Sequence, residues 1–190
     1  MTEGRPRAVT CQSCSRRAFI RAAGTAAVVA GSSSLRTGLL AQASKVSIGD
    51  LLVRNRAPVN TPLTPEDVVP GRLLVGWPMD PISRTPRSGI NNRLVLVRLD
   101  AERISAATRD QAASGVMAYS AICTHEGCDV SYWDAKQQAL VCPCHESMFD
   151  PYDAGALLGG PASRALPWLG LGIADGNLVV TAVFSAAPGI

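Results

Sequence analysis

Both histidines of this 190-residue chain and four of its six cysteines fall in two short segments. They read Cys123-Thr124-His125-Glu126-Gly127-Cys128 and Cys142-Pro143-Cys144-His145-Glu146-Ser147. Thiolate and imidazole are the side chains best suited to soft and borderline metals. Gathering both imidazoles beside four thiols supplies the donor set of a metal centre. Six candidate ligands are more than a tetrahedral site takes, and a zinc site would use four of them, for instance Cys142 and Cys144 with both histidines. Structural zinc sites usually pair like with like, as C-x(2–4)-C and H-x(3–5)-H. Here each pair mixes sulfur with nitrogen, as C-x-H and C-x-x-H, with an extra cysteine in each segment.

Read as C-T-H-x-G-C followed by C-P-C-H-x-S, the two segments resemble the ligand loops of the Rieske [2Fe-2S] proteins, in which two histidines replace two cysteines on one iron. The resemblance implies that Cys123 and Cys142 bind one iron while His125 and His145 bind the other. It also implies a disulfide between Cys128 and Cys144; closing a loop of about 15 residues contributes roughly 3 kcal/mol in the chain-entropy picture. Rieske oxygenases and their ferredoxins lack that extra cysteine pair, so the resemblance is to the high-potential branch, typified by the Rieske subunits of quinol–cytochrome c oxidoreductases. In that branch a serine hydroxyl at the position of Ser147 bonds a bridging sulfide. A tyrosine usually stands where this chain has Phe149 and bonds a ligand sulfur. Gly159-Gly160-Pro161-Ala162 resembles the family's Gly-Pro-Ala cover loop, placing Gly160 and Pro161 over the cluster.

Two positions depart from the pattern of quinol-oxidising members. Glu126 stands where a leucine is common, and Glu146 where a glycine is. Both positions lie near the tip that docks on cytochrome b in those relatives. A carboxylate buried at an apolar interface costs desolvation energy, so these residues favour a polar docking surface.

The expected ligand set has an electrostatic consequence. Two ferric ions, two sulfides and two thiolates sum to zero, so reduction leaves a single negative charge. Four thiolates would already give the oxidised cluster a double negative charge. Neutral imidazoles therefore raise the potential, to about −150 to +300 mV for Rieske centres, within reach of quinols. Imidazoles on a ferric ion also lose protons more readily, which couples their protonation to the electron.

Near the N-terminus, Ser15-Arg16-Arg17-Ala18-Phe19-Ile20-Arg21 resembles a twin-arginine export signal. An Ala-, Gly- and Ser-rich stretch follows from Ala22 to Leu35, and Ala41-Gln42-Ala43 fits an A-x-A cleavage site. The apolar stretch is shorter than the about 20 residues of a membrane span, and Arg36 ends it, so cleavage is favoured over retention as an anchor. Cys11 and Cys14 form a C-x-x-C that is incidental within a removed leader. Residues 1–43 carry six basic residues and one acidic, residues 44–190 twelve and fourteen. The overall +3 thus belongs to the leader, and no basic stripe for nucleic acid remains.

Residues 44–190 suffice for one domain with a real core. Strand-like runs, Val-, Leu- and Ile-rich and bounded by turn residues, occur at Lys45–Val53, Arg72–Trp77, Arg93–Leu99, Val116–Ile122, Gln138–Cys142 and Asn177–Phe184. Asp175-Gly176 predicts a tight hairpin joining Trp168–Ile173 to the last run. Residues 101–114 suit a short helix, and Met79–Asn92 a long loop. This is an all-β pattern, similar to the Rieske fold: stacked antiparallel sheets with a small cluster-binding subdomain inserted at about 122–163, against which Trp133 and Trp168 would pack.

The resemblance then implies a one-electron carrier exported folded to the periplasm, meeting the inner membrane only through a complex or an uncleaved signal. Its donor would be a quinol through cytochrome b, or alternatively the molybdenum subunit of an oxidase such as arsenite oxidase. Its acceptor would be a cytochrome c-like protein. From a different class stands an exported zinc-binding domain of structural role. An oxygenase component is disfavoured, because both histidines are already committed and no second iron site remains.

Overall fold

The computed structural model describes residues 45–54 and 60–190, so the leader, its cleavage pattern and the Cys11/Cys14 pair lie outside the described residues. Regular structure is almost entirely antiparallel β. Strands β1 (Leu51–Arg54), β2 (Leu74–Met79), β3 (Leu94–Arg98) and β4 (Val116–Ser120) precede the ligand segments. Then come β5 (Tyr132–Asp134), β6 (Ala139–Cys142), β7 (Ser147–Asp150) and β8 (Ala156–Gly159), followed by β9 (Trp168–Ala174) and β10 (Asn177–Ala182). The first four and last two close a barrel in the order β1-β10-β9-β4-β3-β2, while β5 to β8 form a sequential four-stranded sheet. The all-β expectation is met.

Strands β3 and β4 explain why their sequences are continuously apolar instead of alternating. Leu94, Leu96, Val116 and Ala118 point into the barrel interior with Leu52, Leu169 and Leu178. Their neighbours Val95, Val97, Met117 and Tyr119 point the other way, into a second core shared with Leu140, Phe149 and Leu166. Each strand is buried on both faces, so side-chain alternation across the pleat distributes residues between two cores. Cys123 and Cys142 sit in the second core, and Trp133 and Trp168 pack against it.

The turn at Asp175-Gly176 has positive φ at both residues, 48° and 77°, and joins β9 to β10 with Ala174 opposite Asn177. That is the geometry of a two-residue type I′ hairpin, for which glycine is well suited. Residues 101–114 contain one helical turn, α1 (Ala106–Arg109), whose N-cap Ser105 accepts the Thr108 N–H. The loop after β2 is pinned more firmly than its composition suggests. Arg87 makes a bidentate pair with Asp50, at 2.6 and 2.8 Å, and Asp50 is 1% exposed. Three strands were not expected from the sequence: β5, β7 and β8 are three or four residues long. They interleave with ligand and turn residues, leaving no apolar run to recognise.

Candidate metal centre

The first ligand segment follows β4 and turns back on itself. The Cys123 N–H donates to the Cys128 carbonyl at 2.8 Å and the Gly127 N–H to the Cys123 carbonyl at 3.1 Å. The second connects β6 to β7, where Cys142 faces Ser147 across the ladder. Within it Glu146 has φ of +59°, a left-handed conformation that costs a non-glycine residue about 1–2 kcal/mol. Cys128 and Cys144 are joined by a disulfide, with Cα atoms 6.5 Å apart.

The expected ligands converge as two pairs. His125 Nδ1 and His145 Nδ1 lie 3.2 Å apart, with ring planes at 89°. Two nitrogens each about 2.0–2.1 Å from one tetrahedral metal stand roughly 3.3 Å apart, so this spacing suits a shared ion. Cys123 and Cys142 are free of disulfides and buried. Burial pushes the Cys142 thiol above its ordinary pKa, and the neighbouring Cys123 adds to this, against backbone N–H groups of Cys144 and His145 that favour the thiolate. The donor set thus fits a group that presents one metal to two sulfurs and another to two nitrogens.

The remaining expected residues surround this point. Ser147 is fully buried, and its Oγ accepts the Ala162 N–H at 3.2 Å, leaving the hydroxyl proton free to donate. Phe149 is fully buried in the shared core, opposite Leu140. Gly160, at φ +88°, lies so close to the second ligand loop that a Cβ would meet Ser147 Cα at 2.5 Å. Only glycine fits this close approach. Pro161 follows it on the surface.

Two residues were missed by the sequence reading. Thr124, between two expected ligands, donates its hydroxyl to the Arg164 carbonyl at 2.9 Å. Arg164 in turn donates through Nη2 to the carbonyls of Ala187, at 2.7 Å, and Gly189. The first ligand loop is thereby tied through the cover loop to the C-terminal segment. A polar residue inside a ligand motif was a usable signal for Thr124; a lone arginine gave none for Arg164. Glu126 Oε2 also lies 4.0 Å from His145 Nδ1, bringing the tips of the two loops close together.

Comparison with known proteins places the chain in a family. Residues 84–170 match the Rieske [2Fe-2S] domain. The cytochrome bc1 complex Rieske iron-sulfur subunit of Streptomyces lividans is 35% identical over 133 residues, 68% of this chain and 77% of that one. The protein of Haloferax mediterranei named for a respiratory nitrate reductase Rieske subunit is 42% identical over 107 residues, 55% of this chain and 48% of its own. The crystal structure of the plasma membrane Rieske protein from Synechocystis PCC 6803 is 29% identical, covering 58% of this chain and 86% of that one, with a TM-score of 0.37. The chain belongs to the Rieske iron–sulfur family, and the cofactor of that family is a [2Fe-2S] cluster. It spans less than half of some curated relatives it matches, 37% in the case of the Streptomyces coelicolor bc1 Rieske subunit.

Proposed function

We propose that this chain is a one-electron carrier whose cluster is held by Cys123 and Cys142 on one iron and by His125 and His145, through Nδ1, on the other. The convergence of those two imidazole nitrogens at 3.2 Å, on loops joined by the Cys128–Cys144 disulfide, carries the reading. When bound, the cluster accepts and releases one electron in the potential range of mild reductants such as quinols. The chain's own groups set the conditions. The disulfide holds the loops in register, Gly160 and Pro161 close over them, and the Ser147 hydroxyl proton is placed to bond a sulfide. His145, with its side chain 47% exposed, offers its Nε2 as the atom that would hydrogen-bond a quinol hydroxyl and take its proton.

In this reading the domain, residues 44–190 with its cluster-binding part at about 122–163, is the Rieske subunit of a quinol–cytochrome c reductase, as the Streptomyces relative's name suggests. Residues 1–43 direct its folded export by the twin-arginine route. Among the described residues no helix is long and apolar enough to cross a membrane. In this reading contact with the bilayer runs through the complex or the leader. A second reading, the small Rieske subunit of a periplasmic molybdenum oxidase, is favoured by the exposed Glu126 and Glu146 at the tip; the Haloferax relative, named for a respiratory nitrate reductase, bears a name other than that of a bc1 subunit. A cytochrome b gene beside this one supports the first, and a molybdopterin-subunit gene the second.

Electron paramagnetic resonance of the dithionite-reduced protein tests the centre. The rhombic spectrum of a mixed thiolate–imidazole [2Fe-2S] cluster is expected, and it should disappear in His145→Ser. An iron-free, zinc-loaded preparation would overturn the reading in favour of a structural zinc domain. Replacing Arg16 and Arg17 together by lysine should leave the protein in the cytoplasm, as fractionation would show; undiminished export would remove the twin-arginine assignment.

A further inference from the structure

Charge in this molecule is segregated. Between residues 122 and 163 there are six acidic residues and a single basic one, Lys136. The rest of 44–190 carries eight acidic and eleven basic residues. The acidic excess lies on the half that holds the candidate ligands, although the full chain has a formal charge of +3. Of the six, Asp129 is paired with Arg93. Asp150 accepts the Tyr152 N–H in the turn after β7, and Asp153 lies at that same turn. Glu126 and Glu146 flank the histidines, and Asp134 lies farther along the outer face of the four-stranded sheet.

That face carries a groove of about 610 Å³ leading to His145. Tyr132, Pro143 and Met148 supply its apolar surface, Asp134 and Glu146 its charge, and among the described residues no lysine or arginine lines it. Lys136 follows Asp134 on the hairpin turn between β5 and β6 and offsets part of its charge, so the charge beside His145 comes from Glu126 and Glu146. Tyr132 is 56% exposed, an aromatic of the kind enriched at interfaces.

Resting on the electron-carrier reading above, we propose that this groove and the two flanking glutamates form the docking surface for a redox partner whose cofactor edge is ringed by lysine or arginine. Complementary charge steers such a partner onto the half-exposed His145 edge. It also compensates the carboxylates when water is squeezed out, which an apolar partner could not do. Tyr132, Pro143 and Met148 would then supply short-range contact.

Small inorganic oxidants of opposite charge read the sign of this surface directly. Full-length holoprotein, reduced with dithionite and freed of excess reductant, is mixed in a stopped-flow instrument with tripositive cobalt tris(phenanthroline) or with ferricyanide. Each oxidant takes one electron, Co(III) becoming Co(II) or Fe(III) becoming Fe(II), as the protein is reoxidised. From about 10 to about 300 mM ionic strength the cobalt rate should fall about tenfold and the ferricyanide rate should rise. The double variant E126Q/E146Q should flatten both dependences while its EPR spectrum stays the same. The net charge of the full chain would give slopes of the opposite sign, so opposite slopes overturn the proposal. Slopes near zero with both oxidants, pointing to an apolar partner, overturn it too, as do slopes unchanged in the double variant. A protein with no reducible cluster overturns the electron-carrier reading itself, and the docking proposal falls with it.

Discussion

At the scale of single residues, the chain tunes one electron's energy with groups that never touch it covalently. Phe149 lies in the shared core, and in the proposed electron-carrier reading a tyrosine hydroxyl at this position would bond a ligand sulfur. One net hydrogen bond is about 0.5–1.5 kcal/mol, or roughly 20–65 mV for one electron at 59 mV per tenfold. Phe149→Tyr should therefore raise the midpoint by that much in protein-film voltammetry; an unchanged value would make Phe149 a packing residue alone. Glu126 acts through charge. Its carboxylate lies 4.0 Å from a histidine nitrogen and favours the more positive, oxidised state. Glu126→Gln should raise the midpoint by up to about 40 mV, the equivalent of an exposed ion pair of about 0–1 kcal/mol. A lowered midpoint would contradict that sign. The candidate ligands and the disulfide cysteines were legible because cysteine and histidine are rare and their spacing is specific. Thr124 and Arg164 were harder to find, because what they do depends on backbone carbonyls some 20 to 40 residues away.

At the scale of elements, two loops and a cover must be held together before any ion can be gripped. Gly160 is the tightest point of that assembly. Gly160→Ala would drive a methyl group into the Ser147 backbone at a positive φ. It should cost about 1–3 kcal/mol, seen as a lower melting temperature and faster loss of visible colour; a variant as stable as its parent would show that the cover loop moves freely. The turn between β5 and β6 responds to acid instead. Asp134 Oδ1 accepts the N–H groups of Lys136 and Gln137 at 2.8 and 3.0 Å, and these bonds, Gln137's first, hold its carboxyl below the usual 3.8. The stabilisation is complete above that ordinary value and is lost as pH falls through the lower, folded one. Asp134→Ala should therefore make the acid limb of the stability curve shallower, as measured by urea unfolding at successive pH values. Strands β3 and β4 were readable because their continuous apolar runs face two cores, and β9 and β10 because an Asp-Gly turn joins two apolar runs. The short strands β5, β7 and β8 were not, since ladder pairing with neighbours defines them more than composition does.

At the scale of the molecule, the barrel and the sheet of β5 to β8 divide the chain, and in the proposed reading the barrel supports and the sheet carries the centre. The Asp50–Arg87 pair locks the long loop onto β1 from within. Removing one partner of a buried pair costs about 3–5 kcal/mol, so Arg87→Met should lower the melting temperature sharply while leaving the EPR line shape of surviving holoprotein intact. A changed line shape would mean that the loop reaches the centre. Connectivity carries a further consequence. Strands β4 and β9 are direct neighbours, Ala118 opposite Leu169 and Tyr119 opposite Trp168, so the chain departs from the barrel and rejoins it at one seam. Everything between is one continuous cassette, covalently joined at that seam and packed on the barrel through the shared core. Natural or engineered exchange of that cassette could swap one electron-handling tip for another, with the supporting staves left in place.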